Sequence, residues 1–180
     1  NRKSLIEHIK QALITNERIV DITPHQKGES FEHMGVERFM EKTRAFVKIQ
    51  DGCDRYCSYC IIPKARGPIR SKPLKVLKEE ILTIVNNGYQ EIVLVGINLS
   101  SYGKEIGLRL IDAIELVCSI DGVARVRLGS IEPELLLDED IERMSKQPKF
   151  CPQFHLSLQS GCDATLKRMN RHYDTAFYKD

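Results

Sequence analysis

Cys53, Cys57 and Cys60 stand in the run Cys53-Asp-Arg-Tyr-Cys57-Ser-Tyr-Cys60, three thiols within eight residues. A structural zinc needs four ligands and usually gathers them from two separated pairs. No fourth Cys or His lies close by, and the nearest histidine is His33. A redox pair at Cys57 and Cys60 would leave Cys53 unused and would want a helix directly after it. An iron–sulfur cubane normally takes four thiolates. Three thiolates leave one iron open to a ligand that is not protein, and that iron is a Lewis acid able to hold and orient a chelating partner. The types and spacing therefore favour an iron–sulfur cluster over zinc.

The elements around the triad must hold it in place. Ala45 to Gln50 reads as a strand, with Phe46, Lys48 and Gln50 alternating against Val47 and Ile49, so the cysteines follow its carboxyl end. Pro73 opens a helix with the face Leu74, Leu77, Ile81 and Val85, ended by Gly88. Glu91 to Gly96 is nearly continuous apolar, as in a strand buried on both faces. Leu108 to Ile120 is an amphipathic helix stopped by Asp121-Gly122, Arg125 to Ser130 a third strand, and Asp138 to Ser145 a short helix. Phe154 to Leu158 is a fourth strand, and a last helix begins near Asp163. Strand–helix alternation predicts right-handed βαβ units and a parallel sheet. The expected fold class is therefore α/β with about four parallel strands against eight in a closed barrel, so either the sheet is open or a barrel continues beyond Asp180.

Upstream, Ser4 is placed to cap a helix whose face is Leu5, Ile6, Ile9 and Leu13. Arg18 to Ile22 reads as a short strand closed by Pro24, and His25 to Met34 as a polar linker. Residues 1–40 are thus expected to be the tail of an upstream α/β domain plus a connector, with the core over 41–180. The chain starts at Asn1 without a methionine and stops at Asp180 inside a helix-like pattern, so a piece of a longer protein is expected.

Composition narrows the class. The 180 residues are 42% hydrophobic, with both charge signs well mixed, which excludes a disordered chain. The longest apolar stretch, around Ile92 to Leu99, is too short to cross a bilayer. No signal peptide is visible, so a cytoplasmic location without membrane contact is expected. Six cysteines then argue for metal or redox chemistry rather than disulfides. The net charge of +2 announces no nucleic-acid partner. Lys64, Arg66, Arg70, Lys72, Lys75 and Lys78 nevertheless form a basic run without an acidic residue, readable as a solvated face or as an anion-binding one.

The Cys triad with Tyr59 before its last member resembles the radical S-adenosylmethionine superfamily. That resemblance implies an α/β fold, a parallel (β/α) partial TIM barrel truncated here after about four strands, and a 4Fe-4S cluster on Cys53, Cys57 and Cys60, with S-adenosylmethionine chelated by the fourth iron and cleaved to a 5′-deoxyadenosyl radical. The longer run Arg44 to Ser71 (RAFVKIQDGCDRYCSYCIIPKARGPIRS) resembles the methylthiotransferases, which convert C–H to C–S–CH3. Val93–Gly103, Ser130–Pro133 and His155–Tyr173 are most similar to the MtaB-type branch, which acts on N6-threonylcarbamoyladenosine beside the anticodon of tRNA. MiaB-type enzymes, acting on isopentenyladenosine, typically carry Gln-Asn where this chain has Ile97-Asn98. RimO-type enzymes, acting on a ribosomal-protein aspartate, are the other branch. A zinc-binding RNA interaction module is the reading from a different class, supported only by the basic run.

The resemblance implies cofactor-binding roles for Tyr59 near the adenine, and for Gly96, Ile97 and Asn98, whose backbone would pair with the methionine amino group. Glu132, Gln159 and Ser160 would hold the ribose and methionine parts, and Arg66 and Arg70 would meet a carboxylate in bidentate fashion. It also implies a second 4Fe-4S cluster in a missing N-terminal domain, and a flavodoxin or ferredoxin as reductant. Plainer roles stand beside these. Glu132 before Pro133 can cap a helix, Gln159 can be a satisfied loop residue, and Ser160-Gly161 a tight turn. Cys118, Cys151 and Cys162 read as structural, and His155 as a hydrogen-bonded core residue. Lys167, Arg168, Arg171 and His172 fit either a solvated face or contacts to tRNA phosphate.

Overall fold

The structure is a computed structural model that describes residues 4–33, 35 and 43–180. Part of the expected connector and the expected boundary at residue 40 lie outside the described residues. The elements run α1 (Leu5–Thr15), β1 (Ala45–Asp51), α2 (Ile62–Arg66), β2 (Arg70–Ser71), α3 (Leu74–Asn86), β3 (Glu91–Gly96), α4 (Leu110–Ser119), β4 (Arg125–Leu128), β5 (Ser130–Ile131), α5 (Asp138–Ser145), β6 (His155–Leu156), α6 (Asp163–Arg168) and α7 (Thr175–Lys179).

One sheet has the order β2-β1-β3-β4. β1 to β3 and β3 to β4 are parallel, as the alternation predicts. β2 is an antiparallel addition that periodicity did not announce, because a two-residue strand carries no pattern. Alternation in β1 sets the layers. Ala45, Val47 and Ile49 are fully buried against the helices, while Phe46 on the other face is 43% exposed. Leu77, Ile81 and Ile84 of α3 and Ile111, Ile114 and Val117 of α4 complete that core with Ile92 and Leu94 of β3. α4 begins two residues after the expected start, where the Arg109 amide donates to Asp112 Oδ2 at 2.8 Å.

Four expectations need correction. The third strand is not continuous: it breaks at Gly129, whose amide donates to Leu94 O at the end of its run beside β3. Beyond the break, β5 leaves the main sheet and pairs in parallel with β6. The fourth strand shrinks from the predicted Phe154–Leu158 to His155–Leu156, both exposed. The predicted strand Arg18–Ile22 is irregular, with Val20 65% and Ile22 84% exposed. Its alternation meets no neighbouring strand among the described residues. α1 forms as predicted, yet it buries no residue, and Ser4 does not cap it. The Ser4 hydroxyl donates instead to Asp21 Oδ2 at 3.2 Å. Among the described residues no helix is long and apolar enough to cross a membrane.

Candidate metal centre

The cysteine loop leaves the carboxyl end of β1 through two residues that the sequence hides. Gln50 is a polar side chain with no exposure. It donates to the carbonyls of Asp51 at 3.0 Å and Gly52 at 2.8 Å, and accepts from the Asn98 amide at 2.8 Å. One side chain thereby ties the loop after β1 to the loop after β3. Gly52 has φ +75°, and a Cβ there would lie 1.9 Å from the Pro68 carbonyl oxygen. Only glycine fits that approach, and it lets the Cys53 amide donate to Gly67 O at 3.1 Å.

A second clamp comes from the far end of the chain. The Ser58 amide donates to Met169 O at 3.1 Å, and its hydroxyl to Arg168 O at 2.8 Å. Asn170 Nδ2 donates to Tyr56 O at 3.0 Å. Arg171 Nη1 donates to Cys57 Sγ at 3.2 Å, while Nη2 pairs with the Glu132 carboxylate. The Arg171 side chain is only 4% exposed, so the solvated-face and tRNA-phosphate readings of this residue are overturned. Burial raises the Glu132 carboxyl above its ordinary value, and the Arg171 charge opposes that rise. Its side chain makes no capping bond to the turn at Pro133–Leu135, so the plain capping role fails.

The three thiols are free and half-buried. Burial pushes the Cys53 thiol up, opposed by the Arg55 amide and by Asn98, whose Nδ2 is 3.9 Å from the sulfur. Among the described residues no three His, Cys, Asp or Glu side chains converge on one metal ion. A cubane takes each thiolate on a different iron, and three cysteines on one loop supply three such ligands. Buried polar atoms border the loop without a hydrogen-bond partner: Asn98 Oδ1, Asp54 Oδ1 and Arg171 Nε. Donor set and surroundings fit a cluster with a polar ligand beside it.

The remaining predicted residues fall in three groups. Gly96, Asn98 and Glu132 lie on the same rim, and a Cβ on Gly96 would press on Gln50 at 2.9 Å. Asn98 is 6% exposed, Ile97 40% and Tyr59 55%. Tyr59 joins the rim through Arg171, which opposes the upward push of burial on its hydroxyl. Gln159, exposed at φ +64°, and half-buried Ser160, whose Oγ accepts from the Cys162 amide at 3.2 Å, form a turn. Arg66 and Arg70 do meet a carboxylate, but it is that of Asp51.

With Arg66 and Arg70 on Asp51, and Lys72 buried against Glu80, half of the basic run is internally paired. Lys64, Lys75 and Lys78 remain exposed, which weakens the only support for the RNA-module reading. Cys118 is buried, and burial pushes its thiol up to about 11. His155 is exposed rather than part of the core, with Nδ1 3.0 Å from Ser130 Oγ. Gln50, Asn170 and the buried Arg55–Glu134 pair went unread in the sequence. A polar residue at the end of an apolar strand was the available signal for Gln50.

Comparison with known proteins places the chain. The family model of the Radical SAM superfamily matches residues 47–180. Threonylcarbamoyladenosine tRNA methylthiotransferase MtaB of Thermotoga maritima is 41% identical over 96% of this chain and 39% of its own length. The MtaB of Bacillus subtilis is 35% identical over 100% of this chain and 40% of its own. A tRNA-2-methylthio-N(6)-dimethylallyladenosine synthase of Clostridium botulinum is 42% identical over 83% of this chain and 33% of its own. The chain thus spans about two fifths or less of these relatives. The radical S-adenosylmethionine methyltransferase TsrM of Kitasatospora setae, solved with cobalamin and a [4Fe-4S] cluster, shares the fold at 13% identity. Its TM-score is 0.59, over 75% of this chain and 27% of that one. A strand-end Cys triad, a mostly parallel partial barrel and a family match over most of the sequence agree: the chain belongs to the radical SAM superfamily.

Proposed function

We propose that this chain is the radical core of a tRNA methylthiotransferase that adds a 2-methylthio group to N6-threonylcarbamoyladenosine next to the anticodon. The observation that carries the reading is the half-buried triad Cys53, Cys57 and Cys60, set by Gly52 at the end of β1 inside the long signature Arg44–Ser71. The two MtaB relatives, which align with nearly the whole chain, support the substrate. When bound, a 4Fe-4S cluster with S-adenosylmethionine on its open iron supplies the electron and the radical precursor for C–H activation.

The chain's own residues position and exclude. Gln50 fixes the spacing between the triad loop and Asn98. The Gly96–Asn98 backbone would hold the methionine end, with Asn98 Oδ1 as an acceptor for its amino group. Glu132, paired with Arg171, would hold the ribose, and Tyr59 would lie on the adenine side. Gln159 and Ser160, on the turn after β6, would add contacts to the ribose and methionine parts. Arg66 and Arg70 shape the loop through Asp51. Residues 1–40 form the end of an upstream domain that carries a second cluster, in keeping with an α1 that buries none of its residues against the described part of the chain. A flavodoxin or ferredoxin supplies electrons, and a tRNA substrate places the protein in the cytoplasm.

The comparable identity of the C. botulinum synthase favours one second reading, the dimethylallyladenosine substrate. One experiment separates them. The full-length protein, reconstituted without oxygen with iron and sulfide, is given tRNA bearing either modification, and its nucleosides are read by mass spectrometry. Product from threonylcarbamoylated tRNA is expected. Product only from dimethylallylated tRNA supports the second reading, and product from neither, with the cluster verified, overturns both.

A further inference from the structure

We infer that Arg171 is a positioning residue that also sets the reduction potential of the cluster, by donating a hydrogen bond from a buried guanidinium to the Cys57 ligand atom. The inference rests on the cluster reading above. Three observations carry it. Arg171 Nη1 lies 3.2 Å from Cys57 Sγ, within reach of a charge-assisted bond. The side chain is 4% exposed, so water does not screen that charge. Its attachment is elaborate for a surface arginine: Nη2 pairs with Glu132 from the loop after β5, and the guanidinium carbon sits 5.0 Å from the Tyr173 ring centroid.

The backbone delivers the group where it is needed. Asn170, at φ +56°, turns the chain after α6 so that its own amide side chain reaches Tyr56 O while the next side chain enters the loop. With the two Ser58 bonds, residues 168–170 grip the segment 56–58 independently of the guanidinium. Holding the loop and charging its sulfur are thus separable.

The redox step is the gain of one electron by the oxidised cluster from an external one-electron donor, with no proton or bond change in the protein. Reduction adds negative charge, and a cation on the ligand sulfur stabilises the reduced form. Hydrogen bonds to the sulfurs and local charge are recognised determinants of such potentials. Glu132 offsets part of the Arg171 charge, so removing either partner shifts the potential, in opposite directions.

The test is an EPR-monitored dithionite titration of the full-length protein, reconstituted without oxygen and without S-adenosylmethionine, in which the triad's cluster is the signal, and the iron and sulfide, that a variant with Cys53, Cys57 and Cys60 changed to Ala lacks. Arg171→Met is expected to disfavour reduction at least tenfold, a drop in midpoint of about 59 mV for one electron. Glu132→Gln is expected to raise the midpoint. Asn170→Ala, which loosens only the grip, is expected to leave it in place. An unmoved midpoint in Arg171→Met, with iron and sulfide at the unsubstituted level, overturns the inference alone. An equal drop in Asn170→Ala also overturns it, because loop disorder would then explain the effect. If Arg171→Met holds no cluster, Glu132→Gln decides by whether its midpoint rises. Equal iron and sulfide in the unsubstituted protein and in the variant lacking the three cysteines overturns the cluster reading and this inference with it.

Discussion

Replacing Asp51 with Asn removes a negative charge on which, among the described residues, three cations converge. Lys48 Nζ lies 2.6 Å and Arg66 Nη2 2.9 Å from Asp51 Oδ2, and Arg70 Nη2 is 3.6 Å away. Lys48 and Arg66 are 32% and 35% exposed, so they can return to water, and each pair contributes about 1 kcal/mol or less. Arg70 is 5% exposed and cannot. It keeps the Pro68 carbonyl at 3.1 Å and a longer contact to Glu29 at 3.8 Å. Breaking a buried pair costs about 3–5 kcal/mol, and the residual partners put this case near the lower end. An amide oxygen can still accept from the Gly52 amide, so the turn geometry is retained.

Asp51→Asn should therefore lose about 3 kcal/mol at neutral pH, read by urea unfolding. The pH dependence has a definite sign. Burial pushes the Asp51 carboxyl up, but Lys48, the Gly52 amide and Arg66 together hold it below its ordinary 3.8. A depressed carboxyl stabilises the fold fully above its ordinary value, and that contribution fades as pH falls through the folded value. The gap between the two proteins should be flat from about pH 8 to 5 and shrink below about pH 4. A gap under about 0.5 kcal/mol at pH 7, or one that widens toward acid, refutes the reasoning.

Gln50→Leu strands three backbone groups in a dry site and should cost about 3 kcal/mol, with amide exchange at Asn98 markedly faster; unchanged exchange contradicts this. Gly52→Ala forces a positive-φ side chain onto the Pro68 carbonyl and should cost about 3 kcal/mol, breaking the Cys53 amide bond to Gly67; a thermal midpoint equal to the unsubstituted chain counts against it. Lys72→Met leaves the buried Glu80 carboxylate alone and should cost about 3–5 kcal/mol, whereas Lys72→Met with Glu80→Leu should recover most of the loss. Equal melting of the single and double variants refutes that coupling.

What could be read from the sequence was local. The Cys triad is legible because its ligands lie within one loop, and β1, α3 and β3 because alternation or helical spacing runs long enough to show. Arg18–Ile22 misleads because its apolar residues carry strand character without a strand beside them to complete the ladder. The break at Gly129 is invisible because strand pairing depends on where β3 ends, not on the residues of the third strand. Arg171 looks like a surface cation at a helix end. Its partners, Glu132 and Cys57, are 39 and 114 residues away, and only the folded chain brings them together. Arg66 and Arg70 show the converse, since bidentate carboxylate chemistry was legible but the carboxylate's owner, Asp51, was not.

The central claim is that Cys53, Cys57 and Cys60 hold one iron–sulfur cubane with an open iron. Iron and acid-labile sulfide, measured per chain after anaerobic reconstitution of the full-length protein and of a variant with all three cysteines changed to Ala, test it most directly. About four irons and four sulfides should be lost with the triad while any second cluster remains. Equal iron and sulfide in both proteins, or zinc without sulfide on the triad, would contradict it.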